Sequence, residues 1–189
     1  MKFIPTPLSG VLLIEPDVFS DPRGYFLESF HEEKYSAAGI SGPFVQSNIS
    51  KSSKGTLRGL HAQLSHPQGK LVHIIQGEIW DVVVDVRPDS PAFKKWYGET
   101  LSADRPRQMY VPIGFAHGFC VLSDSAIVEY KCTDFYDPSH ELHLLWNDPE
   151  IAICWPIQNP ILSKKDQTGT PLREMTPLLE RHFAMAKSK

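Results

Sequence analysis

Hydrophobic and polar positions alternate with a period of two residues along two segments of the chain. From Ile79 to Arg87, one face is apolar and carries Trp80, Val82, Val84 and Val86. From about Ala126 to Thr133, one face carries Ala126, Val128, Tyr130 and Cys132. A helix cannot present this period, so both segments are predicted strands. Shorter apolar runs predict further strands around residues 57–64, 71–75, 108–111 and 118–122.

Helical patterns are few, and turn residues are frequent. One helix is predicted over Glu32 to Ala38, closed by Gly39, and a second near residues 178–186. Sixteen prolines are spread between the short apolar runs. Many short strands with turn signals at close spacing are typical of a sandwich or a barrel. We therefore expect one mainly β domain over residues 1–189.

The composition narrows the classes of function. The chain has 189 residues and a formal net charge of −3, which argues against duplex nucleic acid as a partner. No stretch approaches the ~18 apolar residues that a membrane span needs, and the first residues lack the apolar core of a secretory leader. Cys120, Cys132 and Cys154 are odd in number and show no metal-like or redox spacing. These cysteines favour a reducing cytoplasm.

Several side chains capable of proton chemistry lie inside or beside apolar runs. His61 and Lys70 adjoin predicted strands, and His117 lies in a tight turn that enters another. Tyr130 projects from the apolar face of its strand, so its hydroxyl is expected to point into the barrel, where a buried phenol needs a partner. A single histidine of this kind is more often a core residue. Together, the four groups favour a functional cavity.

Other kinds of chemistry have less support from the residues. No His-x-His pair with a downstream carboxylate occurs, so a metal site is disfavoured, although single histidines on separate strands remain candidates. No serine or cysteine occupies an elbow motif of a nucleophilic enzyme. Proton transfer remains, with histidine as base, tyrosine as acid and cations near developing negative charge.

A series of short motifs extends over most of the chain. The first are Asp21 to Glu28 and Gln46 to Ser50, and the most diagnostic is Gly-Thr-Leu-Arg-Gly-Leu-His at 55–61. The later motifs occupy residues 68–72, 77–82, 112–119, 130–133, 146–149 and 162–166, together with Tyr136 and Glu141. In this order they resemble the dTDP-4-dehydrorhamnose 3,5-epimerase family of the cupin superfamily. One departure is Ala62, which stands where an aromatic residue is usual.

The resemblance implies a fold, an assembly and a reaction. The fold is a cupin double-stranded β-helix, or jelly-roll barrel, with a few short helices. The assembly is a homodimer made by sheet extension, with the N-terminal strands at the interface. The reaction is epimerisation at C3 and C5 of a dTDP-linked 4-keto-6-deoxyhexose, within dTDP-L-rhamnose biosynthesis. It needs no cofactor and no metal ion.

The resemblance also implies roles for individual residues. The catalytic set is His61 as base, Tyr130 as acid, Asp166 as the partner of His61, and Lys70 at the C4 oxygen. Arg23, Arg58, His117 and Lys165 would bind the diphosphate and sugar, to which arginine is well suited. Tyr136 would stack on the thymine. The remaining substrate-binding residues are Lys70, Phe26, Glu28, Gln46, Ser47, Asn48 and Glu141.

Three alternative functions and one structural requirement stay open. The protein could be a metal-dependent cupin enzyme with His61 and His117 as ligands, or a binding module without activity. It could also invert C3 or C5 alone, or act as a keto-isomerase.

Strict alternation places Arg58 and His61 on opposite faces of a flat strand, so a bulge or a strong twist is required between them.

Overall fold

The computed structural model describes residues 1–40 and 42–186. The strands and helices follow in chain order. The strands are β1 (Lys2–Pro5), β2 (Leu12–Glu15), β3 (Val18–Asp21), β4 (Gly24–Leu27), β5 (Gln46–Ser53), β6 (Leu57–Gln63), β7 (Lys70–Gln76), β8 (Glu78–Asp85), β9 (Trp96–Ser102), β10 (Gln108–Val111), β11 (Phe115–Val121), β12 (Ser125–Cys132) and β13 (Glu141–His143). The helices are α1 (Glu32–Ala37), α2 (Lys164–Gln167) and α3 (Leu172–Ala186), with a 3-10 turn at Pro138–His140.

Two antiparallel sheets form the body of the molecule. One has six strands in the order β1-β2-β10-β7-β12-β5, and the other has five in the order β13-β6-β11-β8-β9. Apolar side chains from both sheets fill the space between them, including Val72, Val128, Val83 and Phe119. This arrangement is a jelly-roll barrel, and the prediction of a mainly β fold is confirmed. No helix of the described residues is long and apolar enough to cross a membrane.

Helices cover the outer faces of both sheets. Leu172 and Leu179 of α3 are fully buried against Val82 and Val84 of β8. Burial of each such side chain contributes roughly 1.5–3 kcal/mol relative to exposure. On the six-stranded sheet, Tyr35 of α1 packs in an apolar cluster with residues of β2 and β7. As a result, β8 has no solvent-exposed face, despite its alternating sequence.

The helical predictions are correct in part. α1 agrees closely with the predicted helix, but α3 begins at Leu172 rather than at 178. Pro177 lies inside α3 and removes one backbone hydrogen-bond donor. A proline at this position argues against a helix, so the sequence did not predict the first turns of α3. Burial of Leu172 and Met175 maintains those turns. The short helix α2 was not predicted, and Cys154 lies exposed outside any strand, unlike the buried Cys120 and Cys132.

The bulge that the sequence requires lies in β6. His117 of β11 pairs with His61, but Phe119 pairs with Arg58, so β6 contains one extra residue between the two pairs. Gly59 in this stretch has a φ of +113°, and a Cβ there would lie 2.6 Å from the Cα of Gly118. Only glycine therefore fits this position. The extra residue turns Arg58 and His61 toward the same cavity, which confirms the predicted irregularity.

Candidate active site

A cavity of about 230 Å³ lies between the two sheets. Its lining comes from strands of both sheets and from the α2 region, and consists of Ser50, Arg58, His61, Lys70, His117, Gly118, Phe119, Tyr130, Ser163, Lys165 and Asp166. A second pocket of about 280 Å³ adjoins it and adds Gln46, Asn48, Gln68, Tyr136 and Glu141. His61, Lys70, Tyr130 and Lys165 line both spaces, so the two form one continuous site.

His61 and Asp166 form a hydrogen-bonded pair at the cavity wall. The His61 Nε2 lies 2.7 Å from Asp166 Oδ1, and the Ser163 hydroxyl donates to Asp166 Oδ2 at 2.7 Å. Ser163 is also the N-cap of α2, which presents Asp166 in its first turn. Burial alone raises the pKa of Asp166, but the hydrogen bonds from His61 and Ser163 outweigh it and hold that pKa below its usual value. With the Nε2 proton donated to Asp166, the lone pair of His61 is on Nδ1.

Tyr130 reaches the cavity from the opposite side. It belongs to β12 in the six-stranded sheet, whereas His61 belongs to β6 in the five-stranded sheet. Within residues 1–40 and 42–186, no group forms a hydrogen bond with the Tyr130 hydroxyl, which faces the cavity. Burial raises the pKa of this phenol, so it remains protonated at neutral pH. A base and an acid therefore line opposite walls of one space.

Lys70 lies beneath the cavity at the start of β7. The described part of the chain offers its ammonium group no hydrogen bond and no ion pair, although Cys132, Glu141 and Asp81 lie near enough to affect it. Burial lowers the pKa of Lys70, and these neighbours offset the effect only in part. The Lys70 side chain is half-buried, so its ammonium is partly desolvated, at a cost that an anion in the cavity would offset. Lys70 is therefore positioned for a group that becomes negatively charged in the cavity.

The polar groups around this centre have partners that orient them. The His117 Nε2 lies 2.7 Å from Oδ1 of Asp81, a fully buried carboxylate whose Oδ2 has no hydrogen-bond partner. The Arg58 Nε donates to the Ser52 hydroxyl at 2.9 Å, leaving its two terminal nitrogens available. Such groups can hold the phosphate and sugar oxygens of a ligand.

Glu141 organises the second pocket. Its carboxylate accepts hydrogen bonds from the Lys165 ammonium and, at 2.8 Å, from the Tyr136 hydroxyl. Burial alone raises the pKa of Glu141, but these hydrogen bonds outweigh it and lower the pKa. His61 Nδ1 lies 3.6 Å from Glu141 Oε1, and His143 Nε2 lies 3.4 Å from Oε2. The predicted residues Tyr136, Glu141 and Lys165 thus meet beside His61.

Four predicted binding residues lie elsewhere in the single chain. Arg23 is exposed on the β3–β4 hairpin and pairs with Asp21, and Phe26 of the same hairpin is 68% exposed. Glu28 forms an ion pair with Lys34 of α1. Ser47 lies on the face of β5 opposite to Gln46 and Asn48, where its hydroxyl donates to Glu129.

Several residues that line the cavity or lie beside His61 were not predicted from the sequence. Ser50 is two residues beyond Asn48 on β5, so alternation could have identified it. Ser163 precedes Asp166 by three residues, which is the spacing of a helix cap. His143 is two residues beyond Glu141 on β13, and the same alternation predicts that both side chains share a face.

One set of side chains has the geometry to hold a metal ion. A donor atom from each of His61, His143 and Asp166 lies within 4.8 Å of the other two. His117, the second ligand considered from the sequence, is not in this set, and its Nε2 lies 2.7 Å from Asp81 Oδ1.

The fold and the site together define a class of protein: a jelly-roll barrel whose interior cavity is lined by acid–base side chains from both sheets. A family model described as dTDP-4-dehydrorhamnose 3,5-epimerase matches residues 5–174, and the chain belongs to this family.

The chain is similar to proteins from bacteria and an archaeon. It is 53% identical over 170 residues to a dTDP-4-dehydrorhamnose 3,5-epimerase of Neisseria gonorrhoeae, with 89% of the chain aligned, but it spans only 52% of that relative's length. It is 48% identical to the protein of the same description from Methanothermobacter thermautotrophicus, covering 92% of this chain and 95% of the relative. A crystal structure of a dTDP-6-deoxy-D-glucose-3,5-epimerase from Legionella pneumophila, in complex with dTDP-4-keto-L-rhamnose, superposes with a TM-score of 0.91 at 45% identity, covering 94% and 96% of the two chains.

Proposed function

We propose that the protein inverts C3 and C5 of dTDP-4-dehydro-6-deoxy-D-glucose, yielding dTDP-4-dehydro-L-rhamnose for dTDP-L-rhamnose biosynthesis. The observation that carries the proposal is the placement of His61 and Tyr130 in different sheets around one cavity, which is also lined by Lys70. Epimerisation needs this arrangement, because a proton must leave one face of the sugar ring and another must arrive on the opposite face. Membership of the family supports the assignment of the substrate.

The reaction begins with proton abstraction. The C4 ketone acidifies the hydrogens on C3 and C5, since either carbanion delocalises onto the C4 oxygen as an enolate. The Nδ1 lone pair of His61 takes the proton, and the C–H electron pair moves toward the C4 oxygen. The Lys70 ammonium stabilises this oxyanion, and such a contact contributes roughly 3–4 kcal/mol to the transition state.

Tyr130 completes each inversion. Its hydroxyl donates a proton to the same carbon from the opposite face, and the enolate electrons re-form the C4 carbonyl. His61 is then an imidazolium and Tyr130 a phenolate, and exchange with water restores both before the second carbon reacts. No net electrons move, and the product is an isomer of the substrate.

Asp166 is a positioning residue in this scheme. Its carboxylate accepts a hydrogen bond from the Nε2–H of His61, which holds the ring with Nδ1 free and stabilises the imidazolium as it forms. Because hydrogen bonds lower the pKa of Asp166, the carboxylate remains ionised throughout the neutral range.

The second pocket suits the nucleotide end of the substrate. Tyr136 presents an aromatic ring beside the Lys165 ammonium, which lies 5.9 Å from the ring centroid. Gln46 and Asn48 line the same pocket with amide groups that can bind base and sugar edges. We therefore propose that the thymine stacks on Tyr136 and that Lys165 and Arg58 contact the diphosphate.

We also propose a homodimer in which the β3–β4 hairpin of one copy extends the six-stranded sheet of the other. Among the described residues, β3 and β4 pair only with each other, and β5 is a free sheet edge of eight residues. Phe19 and Phe26 are more than 60% exposed on the hairpin. Exposed apolar surface and unpaired edges of this kind typify protein interfaces. The hairpin would bring Arg23, Phe26 and Glu28 to the cavity of the other copy.

Light scattering tests the dimer. Phe26→Asp should convert a dimer to a monomer and reduce activity, because a charge is introduced into the buried interface. Ile113→Asp is the matched control, since Ile113 is 53% exposed but lies away from the hairpin and from β5. A wild-type monomer with full activity would disprove the assembly.

We further propose that the protein acts in the cytoplasm, in the compartment of nucleotide-sugar synthesis. Cys120, Cys132 and Cys154 are all free thiols, which fits a reducing compartment.

Incubation with the 4-keto sugar nucleotide in heavy water tests the reaction. A double epimerase introduces deuterium at both C3 and C5, whereas an enzyme acting at one position labels one carbon. A binding module introduces none while still binding dTDP. Elemental analysis and chelator treatment address the metal-dependent alternative, because that alternative loses activity when its ion is removed.

A further inference from the structure

His61 and His143 lie directly opposite each other on neighbouring antiparallel strands. β13 pairs with β6, and His143 is in register with His61. Their rings are 5.0 Å apart at the centroids and meet edge to face at 82°. Facing residues on paired strands have Cβ atoms about 4.5–5.5 Å apart, so two imidazoles there can reach a common point.

Asp166 adds a third donor from a different element. One donor atom from each of His61, His143 and Asp166 lies within 4.8 Å of the others. Zinc bonds of about 2.0–2.2 Å place tetrahedral ligand atoms roughly 3.3–3.6 Å apart. The widest separation in the set must therefore close by roughly 1–1.5 Å, while the 2.7 Å contact between His61 Nε2 and Asp166 Oδ1 must open. The two histidine side chains are 25% and 28% exposed, which lets an ion enter from the cavity.

We propose that a divalent transition-metal ion of the zinc type binds between His61, His143 and Asp166. Two imidazoles and one carboxylate suit Zn²⁺, Ni²⁺ and Cu²⁺ better than Mg²⁺ or Ca²⁺, which prefer oxygen ligands. Glu141 lies close by but is outside this set of donors, and its Oε2 already accepts hydrogen bonds from Lys165 and Tyr136. The ion would therefore have three protein ligands and a water molecule in the open position.

His143 has no part in the proton-transfer scheme, and its surroundings fit a ligand. Its Nδ1 is buried without a hydrogen-bond partner among the described residues, and its Nε2 lies 3.4 Å from the carboxylate of Glu141. An imidazole that lies beside the Glu141 carboxylate and within 4.8 Å of a donor atom of Asp166 is well placed to coordinate a cation.

Binding at this site has a consequence for the enzyme. The metal ion uses a nitrogen lone pair of His61 and breaks the contact between His61 and Asp166, so the base can no longer take a proton from the sugar. We therefore expect zinc to inhibit the enzyme reversibly. This consequence rests on the proposed function, but the binding does not.

Calorimetric titration of chelator-treated protein with ZnCl₂ tests the binding. Wild type should bind one ion per chain. Loss of a partner outside the coordination sphere already costs 10–100-fold in affinity, so loss of a ligand in His143→Gln should weaken binding at least roughly tenfold. His140→Gln is the matched control, because His140 is an exposed histidine nearby whose Nδ1 is bonded to Asp137. Its affinity for zinc should remain that of wild type.

Two further measurements keep the test decisive. Co²⁺ bound at the same site should give a tetrahedral visible spectrum, which His143→Gln weakens. If thermal melting shows that His143→Gln does not fold, Asp166→Asn replaces it in both assays. Absence of saturable binding at one ion per chain, or equal affinity in wild type and the ligand variant, would disprove the site. Zinc binding in a protein without epimerase activity would contradict only the proposed function.

Discussion

Replacing Lys70 by methionine should lower activity and raise stability at the same time. The ammonium of Lys70 forms no hydrogen bond or ion pair with any residue that the structure describes, and burial lowers its pKa. A buried charged group without a partner costs about 1–3 kcal/mol or more. Methionine keeps the length of the side chain and is apolar. The free energy of unfolding should therefore rise by about 1–3 kcal/mol, or about 2–12 °C in Tm for a chain of this length.

Activity should change in the opposite direction. Removal of one preorganised donor to an oxyanion lowers kcat by roughly 10²–10³-fold. Chemical denaturation measures the stability, and NMR of substrate turnover measures kcat. Lys131→Met is the matched control: this lysine is the neighbour of Tyr130 on β12 but pairs with Glu129. Loss of that surface pair should cost only about 0–1 kcal/mol.

The stability difference should also depend on pH. The pKa of Lys70 is lower in the folded than in the unfolded chain. Between the two values the unfolded state binds more protons, so wild-type stability rises with pH through this window. The advantage of Lys70→Met should therefore narrow as pH approaches about 10.4, the ordinary lysine value.

Two results would refute the reasoning. Suppose that Lys70→Met is less stable than wild type while the stability of Lys131→Met is unchanged. The ammonium of Lys70 then has a favourable partner in the free protein and is not available to bind an anion. If Lys70→Met turns over at a near-normal rate, then Lys70 does not stabilise the enolate.

The remaining predictions concern the proton carriers. His61→Ala should abolish deuterium exchange at C3 and C5, and near-normal turnover would exclude His61 as the base. Tyr130→Phe should retain exchange while losing inversion, as the substrate and product spectra in heavy water would reveal; inversion at the wild-type rate would contradict its role. Asp166→Asn should lower kcat by roughly 10²–10⁴-fold with little change in dTDP affinity; a binding defect of similar size, measured by calorimetry, would argue against the His61–Asp166 pair. As pH rises, kcat/KM should begin to fall below about pH 10.4, because burial lowers the pKa of Lys70 whereas it raises that of Tyr130. In Lys70→Arg this alkaline decrease in kcat/KM should move to higher pH. An unchanged alkaline decrease would show that another group causes it.

Local patterns predicted six of the thirteen strands of the described residues, because period-two alternation is a property of neighbouring residues. β10 has the predicted bounds, and β6 and β12 differ from prediction by a residue at their ends. The start of α3 was missed because Pro177 opposes a helix locally, and only contacts with the five-stranded sheet compensate for it. Similarly, the alternation from Ile79 to Arg87 places Asp81 and Asp85 opposite the apolar face of β8. Both are nevertheless fully buried, with partners from β11 and from the turn after β8.

The candidate site was likewise predicted from the sequence only in part. The sequence predicted that Tyr130 lies on the apolar face of a strand. It also predicted an irregularity between Arg58 and His61, which the structure places at Gly59. Sequence reasoning did not identify His143, because its importance depends on the pairing of β13 with β6. Alternation along β5 places Ser47 opposite to Gln46 and Asn48, but the sequence could not decide which of these two faces borders the cavity.

By itself, the sequence determined that the chain is built from short strands, that it has one region of titratable groups among apolar residues, and that its motifs match one family. Only the tertiary structure decided that His61 and Tyr130 come from different sheets and face each other, and that Lys70 has no partner among the described residues. The physical reason is that local patterns report short-range interactions, whereas the site depends on long-range ones. Side-chain alternation arises within one strand, whereas the distance between two strands depends on pairing, register and bulges that the whole fold must satisfy together.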